Sequence, residues 1–142
     1  MIGTDRTAPT ILVIDDEPTI RRTVGRLLER AGYRVRTAAT GAEALELVRS
    51  EHFDAAICDL HLAGISGASL CEQIWLVAPE LAGHLIVSSG DLTGEGVDQL
   101  VERAGVPPMP KPFTGADLLR AVAAICPAPP APLATEVRRQ AS

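Results

Sequence analysis

The chain has 142 residues, 46% of them hydrophobic and only 3% aromatic, so we expect one domain with a core of Leu, Ile, Val and Ala. With 13 basic and 18 acidic residues its net charge is −5, which argues against general nucleic-acid binding because no basic stripe is available to displace phosphate counterions. No apolar run approaches the roughly 18 residues of a membrane span, and no apolar signal segment opens the chain, so we expect a cytoplasmic protein without a membrane partner.

The first 60 residues predict three strands separated by two helices. The first strand is apolar enough to be buried on both faces, the second alternates as a half-exposed strand does, and the third ends in an aspartate: TILVI (10–14), YRVRTA (33–38) and FDAAICD (53–59). Pro18 suits the first turn of a helix that ends before Gly32. Thr40 and Glu43 predict a capping box at the start of the second helix.

The second half continues the alternation with three helices and two strands. The helices are indicated by their apolar spacing and their start and stop residues: 67–77 before Pro79, Val97 to Ala104 before Gly105, and a last helix capped by Thr114 and Asp117. The strands are HLIVS (84–88) and VPPMP (106–110). The second of these can lie only at a sheet edge, because proline has no N–H to donate to a ladder.

Strands that alternate with helices predict a parallel α/β sheet with right-handed crossovers. We place a single domain over residues 9–126. Residues 1–8 and the Pro/Ala-rich segment 127–142 are predicted to be disordered tails or a linker. In such sheets ligands bind beyond the carboxyl ends of the strands, where the strand order reverses, so the chemistry is expected there.

Polar side chains follow four of the five predicted strands. Asp15 and Asp16 follow the first, Asp59 ends the third, Ser89 follows the fourth and Lys111 the fifth. Taken singly, each has an ordinary explanation: a helix cap for the acidic pair, a turn for Asp59 or Ser89, and a solvated charge for Lys111. Their occurrence together at one edge of the sheet favours a functional site.

The chemistry of this group points to a phosphoryl site with a metal. Three clustered carboxylates repel one another and need a neutralising cation. Mg²⁺ is the natural candidate, because it takes hard oxygen ligands and shares its site with phosphate. A carboxylate beside the metal can act as a nucleophile toward phosphorus. Lys111 is the only lysine among 13 basic residues, and its compact ammonium acts as a point charge where the planar fork of Arg would not fit.

Four motifs, in order, resemble the bacterial two-component response-regulator receiver domains, the CheY-like family: ILVIDDEP, CDLHLAGISG, IVSSGD and KPF. The resemblance covers residues 10–125. It implies a flavodoxin-like, doubly wound α/β fold with five parallel strands in the order 2-1-3-4-5 and helices on both faces. It also implies that Mg²⁺ is bound by Asp15 or Asp16, by Asp59 and by the backbone carbonyl of His61.

The same resemblance implies a role in a phosphorelay. Asp59 would accept a phosphoryl group from a sensor histidine kinase or a histidine phosphotransfer protein. Ser89 and Lys111 would contact the phosphoryl group, and the Lys111–Pro112 peptide would be cis. The domain would signal by a conformational change, so we interpret it as a signalling protein that assists its own phosphorylation and dephosphorylation, and not as an enzyme.

Two positions depart from the pattern of the family. Ala63 stands four residues after the acceptor, where proline is usual, so that loop is expected to be looser. Pro108 stands three residues before the lysine, where an aromatic side chain usually swings inward with the hydroxyl, and proline cannot swing. The stretch 88–113 resembles receiver modules of hybrid histidine kinases. No output domain follows in this chain, which we interpret as a free-standing regulator or such a module.

Other functional hypotheses fit the sequence less well. A haloacid-dehalogenase-like phosphatase also combines Asp, Mg²⁺, Ser or Thr, and Lys, but needs a DxDGT-like motif where this chain has DDEPT. A flavin-binding electron carrier would need a Ser/Thr/Gly-rich phosphate loop after the first strand. The cysteines at 58, 71 and 126 form no CxxC pair, and with His61 and His84 they show no zinc-ligand spacing, so we expect a reducing compartment and no structural zinc.

Overall fold

The computed structural model describes residues 8–93, 96–127 and 129, which form one sheet flanked by helices. The strands are β1 (Thr10–Ile14), β2 (Arg34–Ala38), β3 (Ala55–Asp59), β4 (Leu85–Ser89) and β5 (Met109–Pro110). The α-helices are α1 (Pro18–Arg30), α2 (Gly41–Ser50), α3 (Gly67–Val77), α4 (Val97–Ala104) and α5 (Gly115–Ile125). A single 3₁₀ turn, Pro79–Leu81, separates α3 from β4.

All strand pairs are parallel, and the strand order is β2-β1-β3-β4-β5. The flavodoxin-like order implied by the resemblance is therefore confirmed. The winding of the chain reverses between β1 and β3, because β2 lies on one side of β1 and all later strands lie on the other. This reversal opens a crevice beyond the carboxyl ends of β1 and β3.

Alternate residues of the central strands face opposite sides of the sheet and build two separate cores. Leu12 and Ile14 of β1 belong to a core that includes residues of α2, α3 and α4: Leu45, Leu70, Ile74 and Leu100. Ile11 and Val13 belong to a second core that includes residues of α1 and α5: Val24, Leu28, Leu118 and Val122. Helices therefore cover both faces, which explains the nearly continuous apolar run of β1.

Four of the five strands have boundaries that differ from the sequence prediction; β2 differs only in that it begins one residue later, at Arg34. β3 begins two residues later than expected, at Ala55. Asp54, just before it, is bonded to Thr10 twice: its N–H donates to the Thr10 carbonyl (2.8 Å), and its carboxylate accepts from the Thr10 N–H (2.8 Å). β4 is shifted by one residue from the predicted range: it begins at Leu85 and includes Ser89 as its last residue. β5 has only two residues, since the prolines that precede Met109 cannot donate to β4; it does lie at the sheet edge, as predicted.

The predicted capping box of α2 and the predicted cap of α5 have different outcomes. The Thr40 hydroxyl accepts from the Glu43 N–H (3.1 Å), but the Glu43 carboxylate accepts from Ala39 N–H (2.7 Å) instead of returning to Thr40, so this box is only half formed. At α5 both halves are present. The Thr114 hydroxyl accepts from the Asp117 N–H (3.0 Å), and the Asp117 carboxylate accepts from the Thr114 N–H (3.1 Å).

The predicted tails, 1–8 and 127–142, lie almost entirely outside the described residues, which include only positions 8, 127 and 129 of them. Among the residues that are described, no helix has both the length and the apolar character needed to traverse a bilayer. The three cysteines are buried free thiols: Cys58, Cys71 and Cys126.

Gly67, the first residue of α3, allows this helix to start directly against the end of β3. A Cβ atom at this position would lie 2.4 Å from the Leu60 Cα and 2.7 Å from the Asp59 carbonyl oxygen. The Gly67 N–H also donates to the Leu60 carbonyl at 3.0 Å. Because both clashing atoms belong to the backbone, no side-chain movement can relieve them, and Gly67 fixes where the segment after Asp59 can lie.

We therefore expect Gly67→Ala to destabilise the fold by about 1–3 kcal/mol, the usual cost of overpacking. The matched control is Gly25→Ala in α1, where a Cβ would meet only Val35 Cγ1 at an ordinary 3.6 Å. Replacing this helical glycine should stabilise the fold by about 0.5–1 kcal/mol. Urea unfolding of both variants measures the difference, and equal free energies of unfolding would contradict the steric role of Gly67.

Candidate functional site

The end of β1 presents two aspartates with different environments. Asp15 is buried, and its Oδ1 accepts a hydrogen bond from the Glu17 N–H at 3.0 Å, which turns the chain into α1. The Asp15 N–H donates to Ala38 O (3.1 Å), and its carbonyl accepts from the Arg21 guanidinium (2.7 Å), so the backbone of Asp15 is fixed from both sides. Asp16, the next residue, is exposed at the mouth of the crevice.

Asp59 ends the neighbouring strand β3 and is also buried. Its Oδ1 accepts from the backbone N–H of His61 at 3.1 Å, so the loop after the strand holds one carboxylate oxygen in place. One oxygen from each of Asp15, Asp16 and Asp59 lies within 4.8 Å of the others. The structure thus brings together the three carboxylates that the sequence predicted at this edge of the sheet.

Lys111 reaches this acidic cluster from the opposite side of Asp59, just after β5. Its backbone N–H donates to Ser89 O (2.8 Å), and the Lys111–Pro112 peptide is cis, as the resemblance implied. The ammonium Nζ donates to Asp15 Oδ2 at 2.8 Å and lies 3.6 Å from Asp59 Oδ2. The single lysine of the chain is therefore the cation that links β1, β3 and β5.

The environment of Lys111 favours its charged form. Partial burial by itself would lower the pKa of the ammonium, but the hydrogen bond and negative charge of Asp15, joined by those of Asp59, outweigh it and raise the pKa above its ordinary value. The side chain of Lys111 is 19% exposed, against 6% for Asp15 and 7% for Asp59. This ammonium offsets part of the repulsion among the three carboxylates, which from the sequence were expected to be neutralised by a metal ion.

The Ser89 carbonyl accepts from the Lys111 N–H, but the Ser89 hydroxyl is turned toward a different partner. Ser89 is fully buried, and its hydroxyl donates to the carbonyl of Asp91 (2.9 Å) and accepts from the N–H of the same residue (3.0 Å). Within the described residues, its hydrogen bonds thus close a turn after β4. Its predicted contact with a phosphoryl group on Asp59 stays a prediction.

His61 and two further positions complete the predicted set. The His61 backbone lies beside Asp59 through the N–H bond given above, while its exposed ring nitrogen is 3.5 Å from the Asp91 carbonyl; its role as a carbonyl ligand stays a prediction. Ala63 is exposed and is followed by Gly64 in the left-handed region (φ 89°). Pro108 is half-buried directly before β5 and helps to line an open groove of about 600 Å³ between β5 and α5.

Two residues near the cluster were not predicted from the sequence. Arg21 anchors the Asp15 carbonyl, as described above; the only signal for it is that it lies one helical turn into α1, and many surface arginines share that feature. Ser88, the residue before Ser89, is buried in β4 next to Asp59. The signal for Ser88 in the sequence is a polar residue at the end of an otherwise apolar strand, HLIVS.

Comparison with protein families gives one family over most of the chain. The sequence model of the response regulator receiver domain matches residues 11–123. The chain is 32% identical over 115 residues to the response regulator MprA of Mycolicibacterium vanbaalenii, an alignment that covers 81% of this chain and 49% of the relative. It therefore spans about half the length of the curated relatives that it matches.

Solved structures of response regulators resemble most of this chain. The response regulator TrrA of Thermotoga maritima, in complex with Mg²⁺ and a beryllium fluoride, has a TM-score of 0.71 and 29% identity over 82% of this chain and 98% of its own. A response regulator of Burkholderia pseudomallei, carrying a phosphorylated aspartic acid and a calcium ion, has a TM-score of 0.70 and 29% identity over 94% of this chain and 73% of its own.

The ion pairs of Lys111 lead to a prediction about stability. In metal-free buffer, Lys111→Met should destabilise the fold by about 3 kcal/mol, because two buried carboxylates lose their shared cation. Added Mg²⁺ should recover more stability in the variant than in the wild type by mass action, since the variant has more uncompensated negative charge. The measurement is the free energy of unfolding by urea with and without Mg²⁺.

The sign of the pH dependence follows from the raised pKa. The stabilisation by Lys111 should be fully present below its ordinary pKa of 10.5 and disappear as the pH rises through the higher folded value, where the two proteins should converge. The matched control is Arg120→Met, which removes a cation from an exposed ion pair with Asp117 and should change stability little. Equal losses in the two variants would contradict the importance of the buried pair.

Proposed function

This chain belongs to the response regulator receiver domain family, the phospho-accepting signalling modules of two-component systems, and we propose that Asp59 is its phosphoryl acceptor. The observation that carries the proposal is the position of Asp59, buried at the end of β3 in one cluster with Asp15, Asp16 and Lys111. Its support from relatives is that one similar structure carries a phosphorylated aspartate and another a beryllium fluoride with Mg²⁺.

The proposed reaction is a single substitution at phosphorus. A carboxylate oxygen of Asp59 attacks the phosphorus of a phosphohistidine, and a P–O bond forms as the P–N bond breaks. The histidine nitrogen leaves with the electron pair of that bond and takes a proton from solvent. The products are an aspartyl phosphate and a neutral imidazole, so Asp59 gives up one negative charge and gains a phosphoryl group that carries about two.

The residues of the cluster fit a magnesium ion. Mg²⁺ prefers hard oxygen ligands and keeps several waters, and three carboxylates lie close enough to share one ion. We assign Asp15, Asp16 and Asp59 as its ligands, together with the backbone carbonyl of His61. When bound, the ion supplies positive charge against the oxygens of the phosphoryl group.

Lys111 and Ser89 are proposed to hold the phosphoryl group after transfer. The ammonium of Lys111 already lies 3.6 Å from Asp59 Oδ2, so a short movement brings it to a phosphoryl oxygen in charge-assisted contact. The Ser89 hydroxyl must break both of its hydrogen bonds to Asp91 before it can bind a phosphoryl oxygen. Phosphorylation is therefore coupled to opening of the turn after β4.

We assign a sensor histidine kinase or a histidine phosphotransfer protein as the phosphoryl donor, in line with the two-component context of the family. On this proposal the chain is a signalling protein that assists its own phosphorylation and dephosphorylation. The proposed domain spans residues 9–126. The likeness of segment 88–113 to hybrid-kinase modules stays a prediction.

The test of the acceptor is mass spectrometry after incubation with acetyl phosphate and Mg²⁺. The wild type should gain the mass of one phosphoryl group, and Asp59→Asn should gain none, because the amide is not a nucleophile toward phosphorus. The matched control is Asp98→Asn in α4, which removes a carboxylate outside the cluster and should be labelled as the wild type is. Undiminished labelling of Asp59→Asn would refute the assignment.

The path of the signal away from Asp59 is proposed to avoid β5. Pro108, which occupies the usual aromatic position, has no rotamer jump available, and β5 consists of only Met109 and Pro110. The hydroxyl of Ser89, by contrast, is bonded directly to the backbone of Asp91. Movement of this hydroxyl therefore acts first on the turn after β4 and on the start of α4.

Methyl NMR can separate these two routes, because backbone amides are scarce in the proline-rich segment around β5. Met109 is buried and is one of only two methionines in the chain, so its methyl group is a clean probe of β5. Leu92 and Val97, which pack against the core, report on the turn and on α4. On addition of Mg²⁺ and beryllium fluoride, we expect large shifts at Leu92 and Val97 and a small one at Met109; the reverse order would contradict the proposed path.

A further inference from the structure

Ser88 occupies a place in the sheet where an apolar residue would be expected. In the parallel pairing of β3 and β4 it lies directly opposite Asp59, and on its other side it pairs with Met109 of β5. Side chains of paired residues in a parallel sheet point to the same face. Ser88 therefore shares the α1/α5 face of the sheet with Asp59, while its neighbours Ile86, Ile57 and Met109 on that face belong to the apolar core.

The hydroxyl of Ser88 is buried and has no protein partner among the residues that the structure describes. The residue is 2% exposed, and its Oγ makes no hydrogen bond to any protein group there. Buried hydroxyls in proteins are nearly always bonded, because leaving one unpaired costs its full desolvation. An unpaired hydroxyl beside the acceptor aspartate therefore calls for a functional explanation.

The two adjacent serines differ in a way that favours Ser88. The Ser89 hydroxyl is already used twice by Asp91, and by the alternation of β4 its side chain belongs to the opposite face, with Leu85 and Val87. Ser88 is unpaired and lies on the face of Asp59. Adjacent strands are about 4.8 Å apart, so a hydroxyl on one strand can reach a group on the next with only a rotation about χ1.

We propose that Ser88 is a second hydroxyl of the acceptor site and that it donates a hydrogen bond to an oxygen of the aspartyl phosphate formed at Asp59. This inference rests on the proposed function, since it assumes that Asp59 carries the phosphoryl group. An anionic oxygen is a stronger acceptor than a neutral one, so the bond gains most in the phosphorylated state. The unpaired hydroxyl destabilises the unphosphorylated protein. The new hydrogen bond removes this cost in the phosphorylated form, which is therefore favoured.

The test uses beryllium fluoride with Mg²⁺ as the probe, on the full chain, with binding measured by calorimetry and stability by thermal melting without ligand. Ser88→Ala removes the hydroxyl, and Ser88→Cys replaces it with a weak donor of similar size. Both variants should bind the probe about 10-fold more weakly, the effect expected for one hydrogen bond to a charged group. Neither should melt lower than the wild type in the free state, since each removes an unpaired hydroxyl. The control is Ser50→Ala at the end of α2, whose hydroxyl bonds to Glu46 O, and its probe affinity should not change.

Each outcome has a distinct meaning. Unchanged probe affinity in both Ser88 variants would overturn the inference and leave the acceptor assignment intact. A lower melting temperature of the free variants with unchanged affinity would show that Ser88 is purely structural, and would overturn it as well. Failure of the wild type itself to bind the probe would instead refute the proposed function, and the Ser88 inference with it.

Discussion

The structure depends on placing two nearly buried carboxylates, Asp15 and Asp59, opposite one ammonium. Each carboxylate loses hydration when helices cover the sheet, and a buried charge is costly unless an opposite charge compensates it. Lys111 supplies that partner to both, bonding Asp15 and lying close to Asp59. A compact ammonium at the end of a flexible chain can sit between two oxygens, whereas a guanidinium would spread its donors over a plane. This geometry accounts for a single lysine in a chain whose other basic residues are all arginine.

The strand order makes this arrangement possible. Because β1 and β3 are neighbours at the point where the winding reverses, the residues that end them lie side by side although 44 positions separate Asp15 from Asp59. Local turns then fix each carboxylate: the Glu17 N–H holds Asp15, and the His61 N–H holds Asp59. Gly67 lets α3 begin against the same turn. The backbone thus positions the acidic cluster before any metal or phosphoryl group is bound, which reduces the reorganisation that binding requires.

The sequence was sufficient for the strands, the order of the elements and the carboxylates, because apolar runs that end in acidic residues signal both the strand and its functional end. It was less reliable where several hydrogen-bond partners compete. Glu43 bonds to Ala39 in place of Thr40, and β5 is shorter than its apolar run because prolines cannot pair. Nor could spacing alone show that Ser89 is bonded to Asp91 while Ser88 lies unpaired beside Asp59. Which face a side chain occupies depends on strand register, and that is a property of the folded sheet.

The same contacts also provide a route by which a change of charge at Asp59 can affect the neighbouring strands. The Lys111 N–H donates to the Ser89 carbonyl in β4, and the Lys111 ammonium donates to Asp15 just after β1. A new partner for the ammonium therefore affects contacts with both strands. The Lys111 ammonium donates to Asp15 and lies 3.6 Å from Asp59. If the cluster binds a metal ion and Asp59 carries the phosphoryl group, as proposed above, an ion that neutralises Asp15 would free the ammonium to move toward Asp59. Metal binding and phosphorylation would then strengthen each other by thermodynamic linkage. The prolines in and around β5 restrict rotation there. On the proposed path the response would therefore be concentrated in the turn from Ser89 to Asp91, where two hydrogen bonds can be exchanged for new ones.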